Sequence, residues 1–234
     1  MVHSVLELKN KINDLGFQSI GVCPSESLSD EAKKLEQWLS KGFQGEMSYI
    51  ENHFDFRINP DKLLPGTKSI IVLSFNYFQE NQANPTAKIS RYAYGNDYHI
   101  ILRKKSKELE SWMKTRYGNI LFRAFVDSGP VMERVWAEKA GVSWNGKNTL
   151  SIHPKHGSYF FLMCIFTDLE FEYSPAIRNH CGTCTKCIDA CPTQAISPSG
   201  YILDASKCIS YLTIELKTSI PNEFEGKMTY SYCV

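Results

Sequence analysis

The chain has 234 residues, 43% of them apolar, enough for one large core or for a core domain with a small appendage, so a globular protein is expected. Its 26 Lys and Arg stand against 25 Asp and Glu, a net charge of +1 that excludes chain-wide attraction to nucleic acid or to a membrane surface and leaves only local basic patches. No window offers about 18 uncharged apolar residues, and the opening MVHSVLELKNKINDLGF carries Glu7 and Asp14 where a secretory signal needs an unbroken apolar stretch; a cytoplasmic protein without membrane contact is expected.

Val5, Leu6, Leu8, Ile12 and Leu15 form one helical stripe over residues 4–16, closed by Gly16. SIGVC follows as a strand. Ser29 or Asp30 caps a second helix that runs through Trp38 and Leu39 to Gly42. Pro60, Pro65 and Gly66 punctuate the connection to residues 69–77, where IIVLSF reads as a buried strand. The longest helix is predicted over 97–117, because Tyr98, Ile101, Leu102, Leu109, Trp112 and Met113 recur at helical spacing. A strand over 120–126, a helix near 131–140 and a strand pair around 150–152 and 159–167 complete an α+β domain, residues 1–175. Strand character ends in SPAIRN, so residues 176–234 form a second unit that begins just before the cysteines.

Of eight cysteines, four lie within the eleven residues from Cys181 to Cys191, a crowding that favours a metal over disulfides. Cys23 and Cys164 sit in GVC and FFLMCIF and read as small buried hydrophobes. Cys181, Cys184, Cys187, Cys191 and Pro192 give C-x2-C-x2-C-x3-C-P, the spacing by which bacterial ferredoxins hold four-iron four-sulfur clusters. Two-residue gaps turn three thiolates towards one cluster, and the fourth points to a second one. Gly182, Thr183 and Thr185 suit a backbone that wraps closely with its amides turned inward. Zinc is the competing metal, though it favours paired C-x2-C knuckles. Beyond the run only Cys208 and Cys233 remain, so six candidates face about eight ligand positions for two clusters.

The stretches HFDFRINPDKLLPGTKSII, SRYAYGNDYH, FVDSGPVMERVWAEKAGVSWNGKNTL and CISYLTIEL, together with the cysteine run, closely resemble the epoxyqueuosine reductase family. The resemblance runs in order from GFQSIGVCP to KCISYLTIEL. It implies a flavin-reductase-like core that binds cobalamin, followed by a ferredoxin-like module with one or two 4Fe-4S clusters. It also implies reduction of epoxyqueuosine to queuosine in the anticodon of tRNA, an external electron donor, and a monomer. Relative to that pattern the chain stops at Val234, before a second cysteine run and a helical repeat region, and reads as C-terminally truncated, with YSYCV and Cys233 near the start of that run.

By the same resemblance Asp127 occupies the place of the proton donor, a role that suits a carboxylic acid because epoxide opening leaves an oxygen to be protonated. A turn or cap ahead of Pro130 is the plain alternative. Arg57, Asp97, Asp127 and Ser151 fall in segments like the family's cobalamin contacts. Arg57 is otherwise a surface partner of Asp55 or Asp61, and Asp97 a helix N-cap. Glu133, Arg134 and Lys147 serve either the cavity or a solvated face. No D-x-H-x-x-G cobalamin signature, G-x-G-x-x-G or P-loop occurs. Arg103, Lys104, Lys105 and Lys107 are the first candidates for a local tRNA contact. Three further functions stay open on the residues alone: an electron carrier, a cobalamin-binding module without turnover, and a reductive dehalogenase.

Overall fold

The computed structural model describes residues 2–80 and 90–227. In chain order the elements are β1 (Val2–His3), α1 (Leu6–Asp14), β2 (Ser19–Pro24), α2 (Ser29–Ser40), the short helices α3 (Tyr49–Asn52), α4 (Phe54–Ile58) and α5 (Pro60–Leu63), then β3 (Ser69–Asn76) and α6 (Tyr98–Tyr117). There follow β4 (Phe122–Phe125), α7 (Glu133–Lys139), β5 (Trp144–Asn145), β6 (Ser151–Ile152), β7 (Phe160–Thr167), β8 (Glu170–Phe171), α8 (Lys186–Asp189), a wide π-turn at Tyr211–Glu215, and α9 (Asn222–Glu225). Helices and sheets mix as an α+β arrangement.

The centre is an antiparallel sheet in the order β2-β3-β7-β4. Its registers run Ser19↔Ser74 for β2 and β3, Ser69↔Thr167 for β3 and β7, and Phe122↔Thr167 for β4 and β7. Both faces are covered, which explains why IIVLSF is apolar without alternation. Ile71 and Leu73 pack with Leu8, Ile12, Leu102, Leu109 and Met113 of α1 and α6 on one side. Ile70 and Val72 pack with Trp136, Ala137 and Phe166 on the other. Cys23 and Cys164 lie buried in that second layer, where loss of hydration pushes the Cys23 thiol up to about 12; both are the small hydrophobes expected. Gly21 is obligatory because a Cβ there would run into the Ala140 carbonyl at the end of α7.

Two local expectations change. β6 does not pair with β7; it pairs with β5, Asn145 opposite Ser151, while the eight-residue β7 is buried deeply enough to require a neighbour on each edge. α2 starts at Ser29 without a side-chain cap, its start anchored by the buried Leu28. Past residue 175 the chain returns to the N-terminal half. Trp38 Nε1 donates to the Leu203 carbonyl at 2.6 Å, Ala205 N to Phe43 O at 2.9 Å, and Glu46 N to the Tyr211 hydroxyl at 2.8 Å. Ala205, Tyr211, Leu212 and Phe224 close a third apolar cluster against Trp38 and Met47.

Candidate functional site

Asp127 leaves the sheet just after β4 with φ at +57°, a left-handed conformation that aspartate tolerates better than most side chains. Its carboxylate is 69% exposed, and the Tyr98 hydroxyl donates to its Oδ2 at 2.5 Å. His99 Nε2 stands 3.7 Å from the same oxygen. Tyr98 and His99 form the first turn of α6, and Tyr98 is held flat on Phe161, ring centroids 3.9 Å apart and 10° from parallel. Burial, then the bond to Asp127, pushes the Tyr98 phenol well up, so at neutral pH it remains a donor.

Asp97 is the N-cap of α6: its Oδ1 accepts from the His99 backbone N–H at 2.9 Å and from ring Nδ1 at 2.9 Å. These bonds, the backbone one foremost, hold the Asp97 carboxyl below the usual range. A carboxylate only accepts, so the His99 nitrogen bonded to Asp97, Nδ1, carries a proton, and Nε2 is turned towards Asp127.

Behind these groups lies a half-buried layer of charge. Arg57 on α4 makes no pair with Asp55, which bonds Lys62, nor with Asp61, whose side chain takes the Gly66 N–H. Its guanidinium is disfavoured by burial and supported by Glu133 and Tyr49. Burial pushes the Glu133 carboxyl up to about 7, with the Asp127 charge adding to the rise and Arg134 and Arg57 opposing it. Tyr49 on α3 is pushed up by burial and by the nearby Glu215 carboxylate of the π-turn, and also senses Asp127. Tyr49, Glu215 and His99 were not among the site residues expected from the sequence. The first two are 166 positions apart and meet only because the chain returns after the cysteines; a π-turn is itself a frequent marker of functional positions.

Several buried polar atoms here have no protein partner: Arg57 Nε, Glu133 Oε1, Trp144 Nε1, Asn145 Oδ1 and Ser151 Oγ. The β5–β6 hairpin lies on α7, where Asn145 bonds Glu138 at 2.8 Å and Arg134 bonds the Thr149 carbonyl. Orphaned buried donors and acceptors are costly unless a ligand satisfies them. A group rich in amides, as a corrin rim is, fits Arg57 and Ser151. Asp97 does not present itself in the same way, since its Oδ1 is committed to His99.

Cys181 and Cys187 are half-exposed and Cys184 is exposed; none of them is in a disulfide. Cys184 N bonds Cys181 O at 2.9 Å, a tight turn that leads into α8. Cys191 follows α8 and accepts from Ala195 N at 3.3 Å; burial opposes its ionisation, but this bond and those from Thr193 and Ile196 outweigh it and lower the thiol. Cys208 is half-buried at the edge of the third apolar cluster. Cys233 lies outside the described residues. Among the described residues no three His, Cys, Asp or Glu side chains converge as around a single ion. A cubane makes a different demand, one thiolate per iron corner, and thiols on a surface turn and the short helix after it suit that demand.

Residues 57–128 match the family described as epoxyqueuosine reductase QueG, DUF1730, and residues 180–234 match the 4Fe-4S double cluster binding domain. An epoxyqueuosine reductase of Leadbetterella byssophila is 49% identical over 223 residues, 95% of this chain and 73% of that protein. The fold superposes with a TM-score of 0.85 and 33% identity on a crystal structure of epoxyqueuosine reductase with an epoxyqueuosine-modified tRNA-Tyr stem loop, over 95% of this chain and 61% of that one. A catabolic reductive dehalogenase shares the fold at 16% identity with a TM-score of 0.53. Among the described residues no helix is long and apolar enough to cross a membrane.

Proposed function

The chain belongs to the epoxyqueuosine reductase family, and on that premise we propose that it reduces the epoxide of epoxyqueuosine to the alkene of queuosine at the anticodon of tRNA. The observation that carries this reading is the convergence on Asp127 of the Tyr98 hydroxyl at 2.5 Å and the His99 ring at 3.7 Å, in front of buried polar atoms without protein partners. Deoxygenation of an epoxide consumes two electrons and two protons and releases water. Asp127 is placed to hand one proton to the oxygen freed when the ring opens. Tyr98 fixes the carboxyl for that transfer, and His99, whose Nδ1 is committed to Asp97, turns Nε2 towards Asp127, so that a proton taken up from solvent at Nε2 can pass on to Asp127.

We read residues 1–175 as the catalytic core, an antiparallel sheet under helices in keeping with a flavin-reductase-like domain, and 176–234 as the ferredoxin-like unit. Arg57, Ser151 and Asp127 would hold cobalamin, with Asp97 acting from behind His99. When bound, cobalamin supplies a strongly reducing centre for opening the carbon–oxygen bond. Cys181, Cys184 and Cys187 would hold one 4Fe-4S cluster, and Cys191, Cys208 and Cys233 belong to a second, so that electrons from an external donor reach the cavity. The 61% coverage of the tRNA-bound relative leaves tRNA affinity to be measured on this chain directly.

The test is an anaerobic assay of the cluster-reconstituted chain with cobalamin and tRNA containing epoxyqueuosine, with queuosine read by nucleoside mass spectrometry. Queuosine formed only when cobalamin is present, and lost with Asp127→Asn, is the expected result. Undiminished turnover without cobalamin, or with Asp127→Asn, refutes the reading.

A further inference from the structure

Lys147 lies in the WNGKNTL loop of the core, yet its side chain ends in the cysteine turn. Its Nζ donates to the Gly182 carbonyl at 2.8 Å and to the Cys184 carbonyl at 3.0 Å. The carbonyl of Lys147 itself accepts from Tyr201 N at 2.9 Å. Gly200, with φ at +76°, lies so close to the lysine stem that a Cβ would stand 2.6 Å from its Cγ. Two neighbours on the same loop reach the same segment: Asn179 Nδ2 donates to the Asn145 carbonyl at 3.2 Å while its Oδ1 receives Cys181 N at 2.8 Å, and Trp144 packs on His180 with centroids 4.8 Å apart. The half-buried lysine is therefore clamped between the core hairpin and the exposed Cys181–Cys184 turn that leads into α8, which carries Cys187.

We infer that Lys147 is a positioning residue for electron transfer: it fixes the cysteine turn against the core and its charge raises the reduction potential of the cluster held there. The inference rests on the cluster part of the proposed function and is independent of cobalamin and of tRNA. Reduction adds one electron to a cluster already negative through its thiolates and breaks none of its bonds. A fixed cation bonded to the Gly182 and Cys184 carbonyls favours the reduced state, and so close to the sulfurs its Coulomb term is weakened by solvent but not abolished. An ammonium bonded to two carbonyls of the turn also restricts the geometry in which the three sulfurs are offered, which a solvated lysine would not do.

The full 234-residue chain is reconstituted anaerobically with iron and sulfide, its iron content is measured, and the cluster is titrated with dithionite in the presence of mediators under EPR detection. Lys147→Met keeps the stem against Gly200 and removes both charge and donor. Lys147→Gln removes the charge and keeps a donor. Both neutral variants are expected to make the cluster about tenfold harder to reduce, ~59 mV lower for a one-electron couple. Lys147→Arg is expected to retain the wild-type midpoint. Loss of iron from both neutral variants, with retention in Lys147→Arg, also bears the inference out as a positioning effect. A neutral variant with full iron and the wild-type midpoint overturns it, as does a Lys147→Arg chain that behaves like Lys147→Met. Failure of wild-type protein to take up iron would instead refute the underlying cluster assignment.

Discussion

Replacing Glu133 by glutamine should remove a pH dependence from the stability of this chain. Burial raises the Glu133 carboxyl from 4.5 to about 7 in the folded state, and its Oε1 has no partner. Between those two values the folded chain keeps a proton that the unfolded chain has released. Stability from this group is thus fully present below about pH 4.5, falls as the pH rises towards 7, and is lost above it. Each tenfold is worth about 1.4 kcal/mol, so the whole interval amounts to about 3 kcal/mol at most. Glutamine has the same shape and does not titrate, so Glu133→Gln should match wild type near pH 5 and exceed it by about 2–3 kcal/mol at pH 8. Urea unfolding of the apo chain at both pH values, followed by tryptophan fluorescence, measures the difference; Trp136, buried on α7, reports the same helix. Parallel stability profiles for the two proteins would show that Glu133 is ionised in the folded state and that its burial is compensated by Arg57 and Arg134.

Asp127→Asn keeps size and turn propensity and should lower epoxide reduction by about 100- to 10,000-fold with cluster content intact; single-turnover assays of pre-reduced protein check it. Tyr98→Phe leaves the stack on Phe161 and deletes the 2.5 Å bond, so turnover should fall about tenfold while the melting midpoint moves little, a hydrogen bond at an exposed carboxylate being worth about 1 kcal/mol. Lys104→Glu on the exposed side of α6 should weaken tRNA stem-loop binding and reduce the salt slope by about 1, measured by filter binding over a salt series. Lys105 is a poorer probe, because its ammonium already caps the Leu15 carbonyl at 2.5 Å. Trp136→Ala should cost about 3–5 kcal/mol in urea unfolding, since the ring is fully buried between α7 and the sheet.

What the sequence disclosed follows from how far apart the interacting residues lie. α1, α6 and β3 were legible because each writes its burial into its own spacing: Leu102, Leu109 and Met113 at helical intervals, Ile70 to Leu73 as an unbroken run. The cysteine run was legible because its spacing is local, Cys181 to Cys191 falling within one turn and the short helix after it. The pairing of β6 was not, since two residues carry no periodicity and the partner was fixed by the turn through Gly146. Nor was the Tyr49–Glu215 contact, which depends on Tyr211 and Leu212 packing against the first half of the chain. Arg57 was ambiguous for a different reason: Asp55 and Asp61 stand near it in sequence, yet α4 and α5 direct those carboxylates to Lys62 and Gly66 and leave the half-buried guanidinium under the longer-range influence of Glu133.

Asp97 shows how two readings that compete on paper become one in the folded chain. As an N-cap it satisfies the His99 backbone N–H, one of the orphan donors of the first turn of α6. With the same Oδ1 it takes the ring proton of that residue, so the interaction that starts the helix also decides which nitrogen of His99 faces Asp127. Tyr98, between Asp97 and His99, is placed by the same turn; its ring stacks on that of His99, centroids 4.0 Å apart, and its hydroxyl reaches the same carboxylate oxygen. The Asp127 loop itself is exposed and carries a left-handed residue, features that alone would leave Asp127 poorly fixed. Its position is instead imposed by a helix start whose far turns are locked into the core by Leu102, Leu109 and Met113. Asp127 is thereby held, on an exposed loop, by the start of a helix whose later turns are buried in the core, the fixed placement that the proposed proton donor requires.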